Sequence, residues 1–229
     1  MRDRPLASAR AGRSATISLD LVLCRPAGRG LAVLLVRAVR GRERWTVPYV
    51  GFSAGEELEA AAMRGAGTAL GAVPAWLAQV RAFGDAKAHP AGAALSVAYV
   101  GVTAGRTGDA PRGGRWFAVD HLPPLAARQR AIVVAAVEAL RERLDRAPIA
   151  FRLLPAAFTL SELQGVYELL LGRRLHKASF RRALQAAFLV EPMDEWRREG
   201  RGRPAQLFHF APRRRRDTRR GVRFELTGG

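Results

Sequence analysis

The spacing of apolar residues changes part-way along the chain, and no single repeating architecture accommodates both halves. Up to about residue 124, short apolar runs alternate with turn-forming residues; from about Leu125 the spacing becomes helical. Residues 15–25 and 30–40 read as strands joined by the turn-like stretch 26–30. Residues 56–70 read as a helix whose first turn carries Glu56 and Glu57, where the helix dipole favours negative charge. Residues 74–84, 93–104 and 115–119 read as further strands, and the Gly/Pro-rich segment 106–114 reads as a loop. Pro123 and Pro124 close this region.

Beyond it, Ile132, Val133, Ala136, Val137, Leu140 and Leu144 recur at helical period over residues 131–144. A helix over 158–171, capped by Thr159 or Ser161 and ended by Gly172, precedes a second helix over 177–187. A short strand at 188–190, a charged segment and a strand at 206–210 follow. Helix, turn, helix, strand, loop and strand in that order outline a winged helix. An α+β chain is expected, with a boundary near residues 145–150. The basic residues 1–14 and the Arg-rich stretch 212–229 are expected to be disordered.

Cys24 is the single cysteine, so no internal disulfide can form, and a cytoplasmic setting is expected. The four histidines show no metal-ligand spacing, and no run of about 18 apolar residues offers a membrane span. Formal net charge is +18, which points to a polyanionic partner. Composition alone weakens that signal. Lys87 and Lys177 are the only lysines, every other cation is Arg, and Ala and Gly are abundant, as GC-rich coding produces without function. Placement is more informative: from residue 147 onward the chain carries 17 Lys/Arg against 8 Asp/Glu.

On the second helix of the pair, Phe180, Ala183, Leu184 and Ala187 share one face, with Ala178, Arg181, Arg182 and Gln185 opposite and Lys177 at the amino end. Arg can donate two bonds to guanine, Gln can pair with adenine, and Ala allows close approach to a thymine methyl. In the segment 197–204, Arg201 and Arg203 flank Gly202, a composition suited to a wing tip entering a minor groove or holding phosphates. Lys177, Ala178, Arg181, Arg182, Gln185, Arg201 and Arg203 are the expected DNA contacts.

Residues 45–64, with Glu56, Arg64 and Gly71, resemble a Nudix box: Gly, five residues, Glu, seven residues, then Arg-Glu-apolar-any-Glu-Glu-any-Gly. Val50 stands where that pattern has its first Gly, and Gly65, Thr68 and Ala69 stand where it has its three helical glutamates. Offsets of three and four put those carboxylates on one helical face, where they hold a divalent cation against a diphosphate. Without them no metal, no catalytic residue and no cofactor is expected. Downstream, Phe83-Gly84-Asp85, Tyr99, Trp116-Phe117, Phe158–Gln164, Tyr167-Glu168, Phe180–Arg182 and Gly202–Ala205 extend the similarity to the Nudix-related, NrtR-like transcriptional regulators.

That resemblance spans about residues 15–211. It implies a Nudix-like α/β/α sandwich with a mixed sheet over 15–146 and a winged helix-turn-helix domain over 147–211. It further implies a homodimeric repressor of NAD or sugar metabolism that binds an operator in double-stranded DNA and responds to an ADP-ribose-like effector. Arg64, Phe83, Asp85, Lys87 and Tyr99 are the positions it offers for the effector. The sequence departs from the relatives in the loop 86–93, which lacks their arginines and second aspartate, and at Arg128-Gln129, where relatives often carry Asp-His. A hydrolase of nucleoside diphosphate derivatives with a rebuilt metal site is the rival expectation.

Overall fold

A computed structural model describes residues 16–28, 30–39, 43–84, 89–104, 113–144, 147–198 and 204–211. The Ile17–Ala27 strand (β1) is apolar on both faces because both are covered, as the burial of Leu19 and Leu21–Cys24 shows. It pairs antiparallel with β2 (Gly30–Arg37) on one side and parallel with β6 (Leu95–Val102) on the other. Strands β3 (Trp45–Thr46), β4 (Tyr49–Val50), β5 (Trp76–Phe83) and β7 (Gly114–Ala118) complete a mixed seven-stranded sheet.

Helix α1 (Leu58–Leu70) packs on one face through Ala61, Ala62, Gly65 and Ala66, whose spacing forms one flat stripe. It begins two residues later than the acidic run suggests, because Glu57 is extended at the N-cap. Helix α2 (Ala127–Arg143) covers the other face through Ile132, Val133, Ala136, Val137 and Leu140.

After a 3₁₀ turn at Ala150–Leu153, strand β8 (Ala157–Phe158), helices α3 (Leu160–Leu171) and α4 (Lys177–Ala187), and strands β9 (Val190–Arg197) and β10 (Ala205–Phe210) follow. The second sheet runs β8-β10-β9. Two expectations need correction here. Phe158 belongs to a strand rather than to the helix, since it pairs with Phe208. The segment from residue 190, expected as a charged stretch, is an eight-residue strand with no buried side chain, half of them exposed, so it supplies no apolar alternation to read.

The apolar core does not stop between the halves. From Val22, Val33 and Val100 it continues through α2 and Ile149 to Phe151, Phe158, Tyr167 and Phe180. Tyr167 and Phe180 meet edge-to-face with ring centroids 5.5 Å apart, joining α3 to α4. Among the described residues, no helix is long and apolar enough to cross a membrane. Because Phe180 is buried at the end of this core, Phe180→Ala is expected to cost about 3–5 kcal/mol. Urea unfolding followed by circular dichroism and by tryptophan fluorescence should give one coincident transition shifted to lower urea; two separated transitions would mean that the core divides.

Candidate nucleic-acid interface and sensor site

Helix α3 is built to be rigid. The Thr159 hydroxyl accepts from the Glu162 amide at 3.1 Å, and the Glu162 carboxylate accepts from the Thr159 amide at 2.7 Å, a reciprocal capping box. Of the two caps the sequence allowed, Thr159 is the one used. Arg197 of β9 donates to Glu162 at 2.8 Å and to the Ala157 carbonyl at 3.1 Å, so the wing is tied to the start of α3. At the other end Gly172 adopts φ +70, and a Cβ there would lie 2.9 Å from an Arg141 guanidinium nitrogen of α2. The left-handed backbone favours glycine at 172, and its bare Cα lets the end of the Arg141 side chain come close.

Glu168 organises the turn. Its Oε1 accepts from the Leu175 amide at 2.9 Å and from Gln164 at 3.0 Å, while Arg174 donates to Oε2 at 3.3 Å. Partial burial raises the pKa of its carboxyl group, but these donors outweigh burial and hold it below the ordinary glutamate range.

Helix α4 buries Phe180 and Leu184 and leaves Lys177, Ala178, Arg181, Arg182 and Gln185 exposed. The structure therefore brings five of the seven expected DNA contacts onto one face. Arg201 and Arg203 lie outside the described residues. Trp196 went unnoticed in the sequence; it sits on β9 opposite Gln206 and is 61% exposed. The first turn of α4 holds Lys177 and no acidic residue, the reverse of what the helix dipole favours. A cation added to the positive end of a helix disfavours the isolated helix and favours an approaching phosphate.

In the first half of the chain, Arg64 and Glu56 of the box form a two-point ion pair at 3.0–3.1 Å. The Ser53 amide also donates to Glu56, and Arg64 reaches the Gly51 carbonyl at 3.4 Å. The Ser53 hydrogen bond leads in lowering the carboxyl pKa of Glu56, followed by Arg64. These two residues staple the loop 51–56 to α1. The Thr68 hydroxyl donates back to the Arg64 carbonyl at 3.0 Å.

A divalent cation, which a Nudix fold implies, does not fit here: Gly65 and Ala69 offer no donor and Thr68 offers only a neutral hydroxyl, so the three positions supply no carboxylate. Among the described residues no group of three His, Cys, Asp or Glu could hold a metal ion.

The expected effector positions that are described, Arg64, Phe83 and Tyr99, do not converge. Phe83 packs in the core on the α2 face, under Arg81, whereas Tyr99 packs in the core on the α1 face. Tyr99 is fully buried and donates to Gln79 at 3.4 Å; burial first, then Glu59, pushes its phenol up to about 12. Arg64 is exposed and engaged with Glu56, and Asp85 and Lys87 lie outside the described residues.

A buried polar network that the sequence hid lies nearby. Asp20, with no exposed surface, accepts from Ser18 at 2.7 Å, from His89 Nε2 at 2.9 Å and from Gln129 at 2.6 Å. The Ala91 amide donates to His89 Nδ1 at 3.0 Å, which leaves Nε2 to donate to Asp20. Gln129 Oε1 in turn accepts from Thr46 at 2.7 Å and the Val47 amide at 2.9 Å. Arg128, also buried, donates to the Ala93 carbonyl at 2.8 Å. The Arg128-Gln129 pair thus fastens α2 to β1, β3 and the segment 89–93.

Residues 150–210 match the family model of the NrtR DNA-binding winged helix domain. Those residues are similar to an NrtR winged helix, and most of the chain is similar to NrtR proteins. This chain is 26% identical to Shewanella oneidensis NrtR, whose crystal structure with a 27mer DNA superposes at a TM-score of 0.69, covering 86% of this chain and 94% of that one. It is 27% identical over 208 residues to the ADPR responsive transcriptional repressor NtrR of Acinetobacter baylyi, covering 86% of this chain and 83% of the relative. A MutT/nudix family protein from Enterococcus faecalis, 18% identical, shares the fold at a TM-score of 0.69 over 87% of this chain and 89% of its own. The fold of the chain is a Nudix-like sandwich followed by a winged helix.

Burial raises the carboxyl pKa of Asp20, but the hydrogen bond from His89, with those from Ser18 and Gln129, more than offsets it, and the net shift is downward. A carboxyl lowered in the folded state contributes stability that is present above its unfolded value of about 3.9 and is lost as pH falls through the lower folded value. Asp20→Asn is expected to cost about 1.5–3 kcal/mol at pH 7, the worth of hydrogen bonds to a buried charge. Urea midpoints of the two proteins should converge as pH drops below about 4; a gap unchanged between pH 7 and pH 3 would contradict this account.

Proposed function

We propose that the chain is a transcriptional repressor that lays α4 in the major groove of an operator, as a homodimer on a palindromic site. In this reading residues 147–211 bind DNA and residues 15–146 form a Nudix-like sensor that does not hydrolyse its ligand. The observation that carries it is the exposed face of α4, where Lys177, Ala178, Arg181, Arg182 and Gln185 stand on a helix fixed from behind by Phe180 and Leu184. Arg181 and Gln185, one turn apart, match the donors needed for guanine and adenine edges, and Ala178 leaves room for a thymine methyl. The relative solved with a 27mer DNA supports DNA as the partner, and the β9–β10 hairpin that follows α4 suits a wing.

The effector proposed is an ADP-ribose-like nucleotide sugar from NAD or sugar metabolism. Support comes from the Acinetobacter baylyi relative, an ADPR responsive transcriptional repressor. Lack of hydrolysis follows from the residues at 65, 68 and 69, which supply no carboxylate. Effector binding would weaken operator binding by favouring a different placement of the two winged helices.

Gel-shift titration of the upstream region of the chain's own gene tests the proposal. Arg181→Ala is expected to weaken specific binding by about 1–3 kcal/mol and relax preference at one base pair. Lys177→Ala should weaken binding evenly across sequences and reduce the salt slope by about 1. Absence of any shift at low salt would overturn the DNA reading. Release of ADP-ribose breakdown products by the magnesium-loaded protein, abolished on replacing an acidic residue of this chain, would restore the hydrolase reading.

A further inference from the structure

We propose that Val50 and Gly65 form a steric lock that closes the cation-binding face of the Nudix box from within, so that restoring glutamates alone cannot reopen it. The box pattern has glycine at the position of Val50 and a carboxylate at that of Gly65; this chain has exchanged bulk across one contact. Gly65 is buried in α1, and a Cβ there would lie 2.7 and 2.8 Å from the two γ-carbons of Val50 and 3.0 Å from Leu21 Cδ1. No side chain enters such a space without displacing something.

None of the neighbours can yield cheaply. Both Val50 methyls face the site, so turning χ1 by one rotamer withdraws one and leaves the other. The Val50 backbone is held where β4 pairs with β1 opposite Leu19, and the Leu21 amide donates to the Pro48 carbonyl at 2.8 Å just upstream. Helix α1 cannot lift, because Ala61, Ala62 and Ala66 seat it on the sheet with no exposed surface. Helix propensity points the other way: alanine is favoured over glycine inside a helix. Glycine at 65 is therefore dictated by Val50.

The lock deepens the non-hydrolytic reading given above and rests on it, but the two fail separately. Hydrolysis of ADP-ribose by the unaltered chain would end that reading, while the following cycle reports on the contact itself. In the full-length protein, Gly65→Ala is expected to lower Tm when Val50 is present. In a Val50→Gly background the same change should leave Tm unchanged or raise it. A Gly65→Ala change that raises Tm with Val50 in place, or equal effects in both backgrounds, would overturn the lock.

A second arm titrates Mn²⁺ against thermal unfolding of Gly65→Glu/Thr68→Glu/Ala69→Glu, with and without Val50→Gly. A Tm rise with Mn²⁺ is expected only when Val50 is also replaced. The same rise with Val50 retained, or none in a folded four-fold variant, would count against the proposal. Should the glutamate variants not fold, the alanine cycle decides alone.

Discussion

Helix α2 is held at both ends by groups that belong to other parts of the molecule, and its apolar side is shared between them. At its start, Gln129 inserts into the Asp20 network and Arg128 holds the Ala93 carbonyl. Along its length Ile132, Val133, Ala136, Val137 and Leu140 cover the sheet. At its end Arg141 lies against Gly172, the residue that closes α3. Interiors packed at crystal density transmit displacement rather than absorb it. The turn that sets α4 is thus in direct contact with the helix that covers the seven-stranded sheet, and the same core cluster contains Val33 and Phe180.

The buried carboxylate explains why the start of α2 sits where it does. An isolated ionised aspartate in a fully buried position would be prohibitively costly. Asp20 is tolerated because Ser18, His89 and Gln129, brought from three regions of the chain, all donate to it. The segment following residue 88 is thereby fixed through His89, and a second turn bond from the Gly92 amide to the His89 carbonyl at 2.8 Å keeps it compact. Polar satisfaction, rather than apolar burial, specifies the register between α2 and this loop.

Legibility in the sequence followed the range of the interaction. The face of α4 could be read from residues 177–187 alone, since helical periodicity is local, and the Thr159 cap was narrowed to two candidates by the same logic. Strand β9 was missed because its residues, Glu191, Asp194, Glu195 and Trp196 among them, lie on an edge where no alternation is imposed. The Asp20 network was hidden because its partners stand 69 and 109 positions away. Asp20 did leave a trace, a lone acid inside the apolar run from Ile17 to Cys24. The glycine at 65 looked like a simple loss in a degenerate box; its cause lay in Val50, fifteen residues earlier, and only packing reveals it.

Helices α3 and α4 divide stability and exposure between them. Three terminal devices that favour a helix are present on α3: a reciprocal capping box, an acidic residue in the first turn and a glycine closing the end in the left-handed conformation. Helix α4 has none of them. Its N-cap His176 makes no capping bond, its first turn carries Lys177, and it ends on Phe188 at φ +50, the one non-glycine residue with positive φ among those described. A bulky residue in that conformation is strained. Local rules are broken where the chain faces outward and kept where it faces the core, which is the pattern expected when a helix is shaped for a partner and its neighbour for support. The rigidity α4 needs is supplied from outside it, by Tyr167 against Phe180 and by Glu168 across the turn.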